Sequence, residues 1–280
     1  MNAAMIHHIV TRQDQIQRNI VDRCDPLYFS DNDLIKRYRF PRFFIIELSS
    51  LLECHLRRKT SRSNALSPVL QLCVSLNFYA TGALFGSLQT TFKLSRPTIS
   101  RTIHRVSSVL TAILSNEVAL PSSPDIIERI SRSFFDIANF PNVLGCIDGS
   151  HIRIRPPTED EHVFVNRKGY HSINIQCVCD PLLCFVDVVV RYPGSSADAF
   201  VFNQCGLKTR FEQNNFEGKV LLGDSGYALK PYMLIPFLNP VTPGERHYNY
   251  AHKKTRVTIE RSFGVLKSRF LCLKIGRAHV

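Results

Sequence analysis

The sequence predicts a mixed α/β fold in which a helical N-terminal region precedes a domain of short strands and helices. In the first part of the chain, apolar residues recur at helical spacing. Residues 121–124 (PSSP) then interrupt the pattern as a linker would. From Val143 onwards the chain changes to short β-rich runs bounded by Gly, Pro and Asp. We therefore predict a helical region at residues 1–124 and a mixed α/β domain at residues 125–280.

The first helices are predicted from spacing and from capping residues. Residues 40–55 carry apolar side chains at helical spacing. Ser67 and Pro68 are typical of a helix start, with a capping serine and a proline at the first helical position. We expect the helix that they begin to run over residues 69–79.

A helix-turn-helix is predicted at about residues 68–110. A short helix over residues 86–92 is followed by a turn at Lys93 and Leu94, and a second helix begins after Ser95. This second helix has an apolar stripe with basic residues beside it, an arrangement that can enter a DNA major groove. An unrelated helical bundle produces the same pattern and stays open as the alternative. The stripe is Ile99, Ile103, Val106 and Leu110, and the candidate DNA contacts are Arg96, Arg101 and Arg105.

The second domain is predicted to contain four strands and three helices. The strands lie in VLGCIDGSHIRI, SINIQCVCD, LLCFVDVVVRY and KVLLGDSGY. The helices are expected at residues 125–137, 198–211 and 256–270, and the last of them carries an apolar stripe. A proline-rich segment after Tyr227 is expected to form a loop or a lid. Helices that pack on strands make this a mixed α/β domain.

Composition and charge narrow the classes of function. With 44% hydrophobic residues, the 280-residue chain is a folded protein and not a disordered one. The net charge of +12 and the pI of about 9.4 favour a polyanionic partner, most simply nucleic acid, over a generic basic surface. Nine cysteines without a CxxC pair predict reduced thiols in an intracellular compartment and argue against a zinc site.

Targeting signals are few. The N-terminus turns polar too early for a signal peptide, and charged residues interrupt the longest apolar stretches, so we expect no membrane span. The basic run made of Arg57, Arg58, Lys59 and Arg62 is a candidate nuclear import signal, and a solvated loop is the alternative.

Two aspartates follow apolar strands. Asp148 comes after VLGCI and directly before Gly149, and Asp224 comes after VLLG and before Ser225 and Gly226. Glycine beside a carboxylate leaves room for a bulky ligand, and carboxylates at strand ends suit a hard metal ion. Two polar turns that cap buried strands are the alternative.

Two further carboxylates are candidates for the same site. Glu260 lies beside the apolar stripe of the last helix, and an ordinary i,i+4 pair with Arg256 is its alternative role. Gly264, one turn later, would let another backbone or a nucleic acid strand approach closely. Asp198 can interact with the dipole at a helix start or assist a metal site.

Phosphodiester cleavage would explain the need for several carboxylates. Two Mg²⁺ ions about 4 Å apart can activate an attacking oxygen and stabilise the leaving one, and Mn²⁺ is the alternative ion. Such ions need only a few carboxylates in addition to the substrate phosphate. The candidate metal ligands are Asp148, Asp198, Asp224 and Glu260. The basic residues around Glu260 would hold the DNA backbone. Their alternative role is to form the solvent-exposed face of a surface helix. The candidates there are Lys253, Lys254 and Lys267, with Arg261 and Arg269 in the same cluster.

The ordered set of motifs resembles the transposases of the PIF/Harbinger superfamily and the nucleases derived from them. The resemblance covers nearly the whole chain, and any single block of it is weak, whereas the order of the blocks is specific. The blocks are FPRFFI, LSRPTISRTIHRV, FPNVLGCIDGSHIRI, FVNRKGYHSINIQCVCD, YPGSSADAF, LLGDSGYALKPYMLIPF and YNYAHKKTRVTIERSFGVLKSRFLCL.

This resemblance implies an RNase H-like catalytic domain with a DDE triad at Asp148, Asp224 and Glu260. Asp148 would lie on the first strand, Asp224 near the end of the fourth, and Glu260 on a following helix. The implied activity is that of a metal-dependent DNA endonuclease with a two-metal mechanism. Asp198 matches a family aspartate that usually follows histidine, and Ala197 in that place puts its auxiliary role in doubt.

The resemblance also implies a partner and a location. Members of the family work with a Myb-like protein that supplies DNA binding and nuclear import, which implies a nuclear protein with a cytoplasmic pool. A catalytically silent domesticated transposase that binds DNA or the Myb-like protein is the alternative, and a hydrolase acting on RNA or hybrids is a third. Residues 275–280 (IGRAHV) read as translated adapter DNA, so we expect a truncated chain whose last helix loses packing partners.

Overall fold

The computed structural model describes residues 25–58, 65–115, 117–213 and 215–274. The helices are α1 (Asp31–Tyr38), α2 (Arg42–Leu56), α3 (Pro68–Thr81), α4 (Phe85–Phe92), α5 (Arg96–Leu114), α6 (Pro124–Ala138), α7 (Asp198–Asn203), α8 (Gly206–Glu212) and α9 (Pro243–Arg269). The strands are β1 (Val143–Arg153), β2 (Ser172–Cys179), β3 (Phe185–Pro193), β4 (Val220–Leu222) and β5 (Met233–Leu234). Short 3₁₀ helices lie at Glu161–Phe164 and Leu271–Leu273. Lys59 and Arg62 of the candidate import signal, and residues 275–280, lie outside the described residues.

Helix α3 is the centre of the N-terminal bundle. The Ser67 hydroxyl accepts the N–H of Leu70 at 3.2 Å, and Gly82 ends the helix with a left-handed φ of 60°. Helices α1, α2 and α5 pack around it, so its side chains are buried on nearly every side. A helix that is apolar all round is typical of such a central position. The helix predicted from Ser67 and Pro68 is confirmed.

Helices α4 and α5 follow one another across a tight turn at Lys93, which has a left-handed φ of 50°. The predicted apolar stripe of α5 faces the bundle, and α5 packs against α3 and α4. Arg96 and Arg101 are exposed, whereas Arg105 is half-buried and donates from Nη2 to the carbonyl of His55 at 2.7 Å. The predicted order of helix, turn and helix is therefore present. DNA binding by this pair stays a prediction.

The sheet has the strand order β3-β2-β1-β4-β5. Strands β1, β2 and β3 are antiparallel neighbours, while β4 runs parallel to β1 and β5 parallel to β4. Helices α6 and α9 cover one face through Phe134, Ile259 and Phe263. Helices α7 and α8 cover the other face through Phe202 and Phe211. The predicted mixed α/β domain is confirmed, and its arrangement is compatible with an RNase H-like domain.

The last helix is longer than the sequence pattern indicated. The predicted start at residue 256 is wrong, because α9 begins at Pro243. A capping box opens it: Thr242 accepts the N–H of Glu245, and Glu245 accepts the N–H of Thr242. The first turns of α9 are mostly polar and exposed, so no apolar stripe marks them.

Two other element predictions are wrong in detail. The proline-rich segment contains strand β5, in which Met233 pairs with Leu221 of β4. The helix expected at residues 198–211 is divided into α7 and α8 at Gln204 and Cys205.

The far end of α9 rests on the N-terminal bundle. The Phe270 ring lies 6.3 Å from the Phe40 ring, and the Arg269 guanidinium lies 5.1 Å above the same Phe40 ring. The 3₁₀ helix Leu271–Leu273 packs on α3. The bundle therefore supplies packing partners to the helix that carries Glu260. The sequence alone did not predict these contacts.

Two further features of the described residues concern membrane spans and cysteines. Across the described ranges, every helix is too short or too polar to cross a lipid bilayer. The eight cysteines within these ranges are free thiols.

Candidate active site

Asp148 and Asp224 lie close together because their strands are parallel neighbours. The pairing of β1 with β4 ends where Cys146 meets Leu222, and each aspartate lies two residues beyond that pair. Along β1, alternate side chains share a face, so Asp148 projects to the face of Cys146, which α9 covers. The charge of Asp224 is close enough to raise the pKa of Asp148. The two predicted aspartates are thus brought together, but the predicted strand end is wrong for Asp148, which lies in the middle of β1 because pairing with β2 continues to Arg153.

The Asp148 carboxylate is largely withdrawn from water, with 18% of its side chain exposed. Burial is the main reason why its pKa lies above the ordinary value. The Arg256 guanidinium opposes this rise, Asp224 adds to it, and the Gly149 N–H donates to Oδ1 at 2.9 Å. The net rise shows that one arginine does not fully compensate the buried charge.

We expect Asp148→Asn to stabilise the metal-free protein at neutral pH. Because the pKa of Asp148 is raised in the folded state, its ionised form costs folding free energy above that folded pKa. This cost becomes smaller as the pH falls through the pKa that Asp148 has in the folded protein towards the ordinary value of 3.8. Asparagine carries no charge, so it removes the cost at every pH. In EDTA, the melting temperature of the variant should exceed that of wild type at neutral pH, and the gap should narrow on acidification. An Asp148→Asn variant that melts below wild type at neutral pH would contradict this prediction. The control is Asp136→Asn, which changes an exposed aspartate.

Arg256 joins Asp148 to Glu260. Its Nη2 donates to Glu260 Oε1 at 2.9 Å, and its Nη1 lies 3.1 Å from Asp148 Oδ2. The second contact is an ion pair whose N–H is not aligned for a hydrogen bond. Only 17% of the Arg256 side chain is exposed, against 55% for Glu260. The i,i+4 pair foreseen as an alternative is therefore present, and because its arginine also contacts Asp148 it belongs to a three-residue network.

Asp224 sits in a tight turn over a buried tyrosine. The Gly226 N–H donates to Asp224 Oδ1 at 2.8 Å, and the Tyr227 hydroxyl donates to Gln176 Oε1 at 3.3 Å. A Cβ on Gly223 would lie 2.8 Å from the Tyr227 ring, so glycine permits this packing. Burial raises the pKa of Tyr227 well above its ordinary value, and the charges of Asp198, Asp148 and Asp224 raise it further. The charges of these three carboxylates therefore all act on one tyrosine.

Asp198 approaches β1 from the side of α7. It is the first residue of α7, and its Oδ1 accepts from Asn174 Nδ2 at 2.9 Å. A Cβ on Gly149 would lie only 2.1 Å from that oxygen, so the missing side chain of Gly149 makes the approach possible. The carboxylate thus lies beside the residue that follows Asp148. Its place in the first turn also suits the helix dipole, as predicted.

The six predicted DNA contacts fall into two groups. Arg96, Arg101 and Arg105 lie on α5 of the bundle, and the three lysines lie on α9. Lys253 and Lys254 are exposed. Lys267 differs, because it is half-buried and its Nζ donates to Ser150 Oγ at 2.6 Å and to the carbonyl of His151 at 3.0 Å. Gly264 on α9 faces open space, which leaves room for the close approach that we expected there.

Three residues of this site are not predicted as site residues from the sequence. Arg256 is predicted only as a partner for Glu260, and no role is predicted for Tyr227 or Asn174. The spacing of Arg256 one turn before Glu260 was a readable signal. Asn174 gave none, because its contact with Asp198 results from the packing of α7 on β2. Tyr227 follows Asp224 in the same turn, but the effect of Asp148 and Asp198 on it comes from elements distant in sequence.

The donor chemistry fits a divalent cation. Carboxylate oxygens are the ligands that Mg²⁺ and Mn²⁺ prefer, and a cation next to Asp148 would reduce the cost of its buried charge. Among the described residues, no three carboxylate, imidazole or thiol side chains already form a group ready for a metal. The Arg256 guanidinium lies between two of the predicted ligands in this conformation.

Comparisons with known proteins identify the family of this chain. The family described as "DDE superfamily endonuclease" matches residues 147–279. The human protein named "Putative nuclease HARBI1" is 36% identical over 244 residues, which cover 87% of this chain and 70% of the human protein. Its Xenopus laevis namesake is 32% identical over 249 residues, covering 89% of this chain and 72% of that protein.

A plant relative is more distant. "Protein ALP1-like" of Arabidopsis thaliana is 25% identical over 226 residues, which cover 75% of this chain and 55% of the plant protein. No solved structure matches this chain significantly. The identity and coverage shared with the animal proteins place the chain in a family: it belongs to the Harbinger-derived DDE nucleases.

Proposed function

We propose that this chain is a metal-dependent DNA endonuclease that hydrolyses phosphodiester bonds by a two-metal mechanism. Asp148, Asp224 and Glu260 are its catalytic carboxylates. The observation that carries the proposal is the parallel pairing of β1 with β4, which brings Asp148 and Asp224 close enough for their charges to interact. Membership of a nuclease family supports the same chemistry.

The residues of the site divide the work. Asp148 and Asp224 would hold Mg²⁺ or Mn²⁺, and Glu260 would join them from α9. The bound ions supply activation of the attacking oxygen and stabilisation of the leaving one. Asp198, held by Asn174, is an auxiliary ligand or orients the residues around Gly149. The open space over Gly264 leaves a path for the nucleic acid strand.

DNA is the substrate class that charge favours. The chain carries a net charge of +12, and the exposed Lys253 and Lys254 lie on the helix that bears Glu260. Arg96, Arg101 and Arg105 of α5 form a second basic group, which we assign to DNA contact by the domain of residues 1–124. The catalytic domain then spans residues 125–280. A Myb-like partner that brings the chain to the nucleus completes the proposal, on family resemblance alone.

Cleavage assays test this assignment. The full chain is incubated with labelled duplex DNA and Mg²⁺ or Mn²⁺, with and without the candidate Myb-like partner. Metal-dependent strand breaks that vanish in Asp224→Asn support the proposal. Breaks that persist in EDTA, or in that variant at the wild-type rate, refute it.

A catalytically silent binding module is the second candidate, and Arg256 favours it. Its guanidinium holds Asp148 and Glu260 in an ion-pair network that needs no metal. A protein that binds DNA with high affinity but neither binds Mn²⁺ nor cuts would match this second function and exclude the first.

A further inference from the structure

A pocket of about 300 Å³ lies beside the second half of β1. Its walls are His151, Arg153, Tyr170, Lys267, Leu273 and Lys274. Strand β1 pairs with β2 as far as Arg153, but with β4 only as far as Cys146. Beyond Cys146, the second edge of β1 has no strand neighbour within the described ranges, and Lys267 donates to the carbonyl of His151. The pocket and Asp148 therefore belong to one stretch of the same strand.

The charges around this pocket are nearly all positive. Burial lowers the pKa of His151, and the charge of Asp198 raises it. Three cations, Lys267, Lys168 and Arg167, lower it again, which shows that their charges reach the imidazole. Asp198 is the only acidic group among these influences on His151.

The cations that line the pocket are Arg153, Lys267 and Lys274, and the charges of Arg167 and Lys168 reach His151 from outside it. No carboxylate in the described part of the chain forms an ion pair with any of these five cations. Burial lowers the pKa of Lys267, and the nearby charges of Lys274 and Lys168 lower it further. Positive groups that crowd together without a counter-charge repel each other, and a bound anion would relieve that repulsion.

The pocket is held in place before any ligand arrives. Two of the three ammonium protons of Lys267 are used by Ser150 Oγ and the His151 carbonyl. The Arg153 guanidinium lies 4.6 Å above the Tyr170 ring, which restricts its orientation. Cations whose positions are fixed in this way lose little freedom when an anion binds.

We propose that this pocket binds a backbone phosphate of the DNA strand, a few nucleotides from the phosphodiester held at Asp148. A strand advances about 3.3 Å per residue, so His151 and Arg153 lie about 10 and 17 Å along β1 from Asp148. Because side chains alternate along β1, these two residues project to the face opposite Asp148, and the strand would pass from one face to the other at the edge of β1 that has no strand neighbour among the described residues. Only this link to the scissile phosphodiester rests on the proposed nuclease function.

DNA binding by the full chain tests the pocket without any cleavage. Fluorescence anisotropy with a labelled duplex in EDTA compares wild type with the double variant Arg153→Gln/Lys274→Gln, in which both altered side chains are exposed. We expect affinity to fall about tenfold and the slope of log affinity against log salt to decrease by about one per lost phosphate contact. The control Arg129→Gln/Arg132→Gln removes the same charge from exposed positions on α6 and should bind within about twofold of wild type.

The results of these measurements distinguish a DNA backbone phosphate from a free anion as the ligand of the pocket. Unchanged affinity and salt slope in the pocket variant would overturn the proposal, as would an equal loss in the control. Inorganic phosphate forms a second arm: if the pocket variant loses phosphate binding but keeps DNA affinity, the site holds a free anion and not a strand. Melting temperatures near that of wild type would show that both double variants fold.

A methylphosphonate scan places the contact along the DNA. One neutral linkage is introduced at a time, and the position that weakens wild-type binding should have no effect in the pocket variant. If such a position exists but no cleavage occurs under any condition, the nuclease proposal fails and the pocket stands. If cleavage occurs and no such position exists, the pocket fails and the nuclease stands.

Discussion

Asp224→Asn should lower Mg²⁺-dependent DNA cleavage by at least about 100-fold. Removing an outer partner of a metal ligand costs about 10–100-fold, and the loss of a direct ligand should cost no less. Asparagine keeps the size of the side chain, so the turn in which the Gly226 N–H donates to Asp224 Oδ1 is retained. The loss therefore reports on the carboxylate charge and not on the fold.

The measurement is the initial rate of strand cleavage by the full chain at several Mg²⁺ and Mn²⁺ concentrations. Asp148→Asn should lose activity to the same degree, although we expect it to be the more stable protein without metal. The exposed Asp136→Asn on α6 is the matched control and should cut at the wild-type rate. An Asp224→Asn variant within about tenfold of wild type would remove Asp224 from the site.

Arg256→Met should destabilise the metal-free protein by about 2 kcal/mol, since the loss of one partner leaves a buried carboxylate without its counter-charge. Methionine retains much of the apolar stem and removes the guanidinium that contacts Asp148 and Glu260. Because Arg256 holds down the pKa of Asp148, its loss should raise that pKa further. Thermal unfolding in EDTA measures the effect, with Arg261→Met, an exposed position on the same helix, as control.

The same variant should respond more strongly to metal than wild type does. If a divalent ion and the Arg256 guanidinium compete for Asp148 and Glu260, removing the guanidinium removes a competitor. The rise in melting temperature on adding Mn²⁺ should then be larger in Arg256→Met than in wild type or in Arg261→Met. An equal rise in all three proteins would show that Arg256 and the metal do not share these carboxylates.

Local signals predicted much of the fold. Alternating and apolar runs marked β1 to β4, and Ser67 with Pro68 marked the start of α3. The early turns of α9 were missed because they bury little, even though the capping residues Thr242 and Glu245 were readable. Strand β5 was missed because two residues are too few for a periodic pattern to be seen.

The carboxylates of the candidate site could be predicted from the sequence, but the contacts between its side chains could not. Apolar runs that end in an aspartate identified Asp148 and Asp224, although β1 continues past Asp148, and the parallel pairing of their strands accounts for their proximity. The role of Arg256 depends on where α9 crosses β1, a contact marked by Cys146 Sγ at 3.5 Å from the Thr255 carbonyl. No spacing along the chain encodes that crossing, because it results from packing between elements more than a hundred residues apart.

Divalent metal binding tests the central claim most directly, because it asks whether carboxylates from β1, β4 and α9 form one site. Mn²⁺ binding to the full chain is followed by electron paramagnetic resonance, without DNA. We expect saturable binding by wild type, a loss of affinity of at least about 100-fold in both Asp148→Asn and Asp224→Asn, and no change in Asp136→Asn. Mn²⁺ binding that is equally strong in wild type and in both aspartate variants would contradict the account.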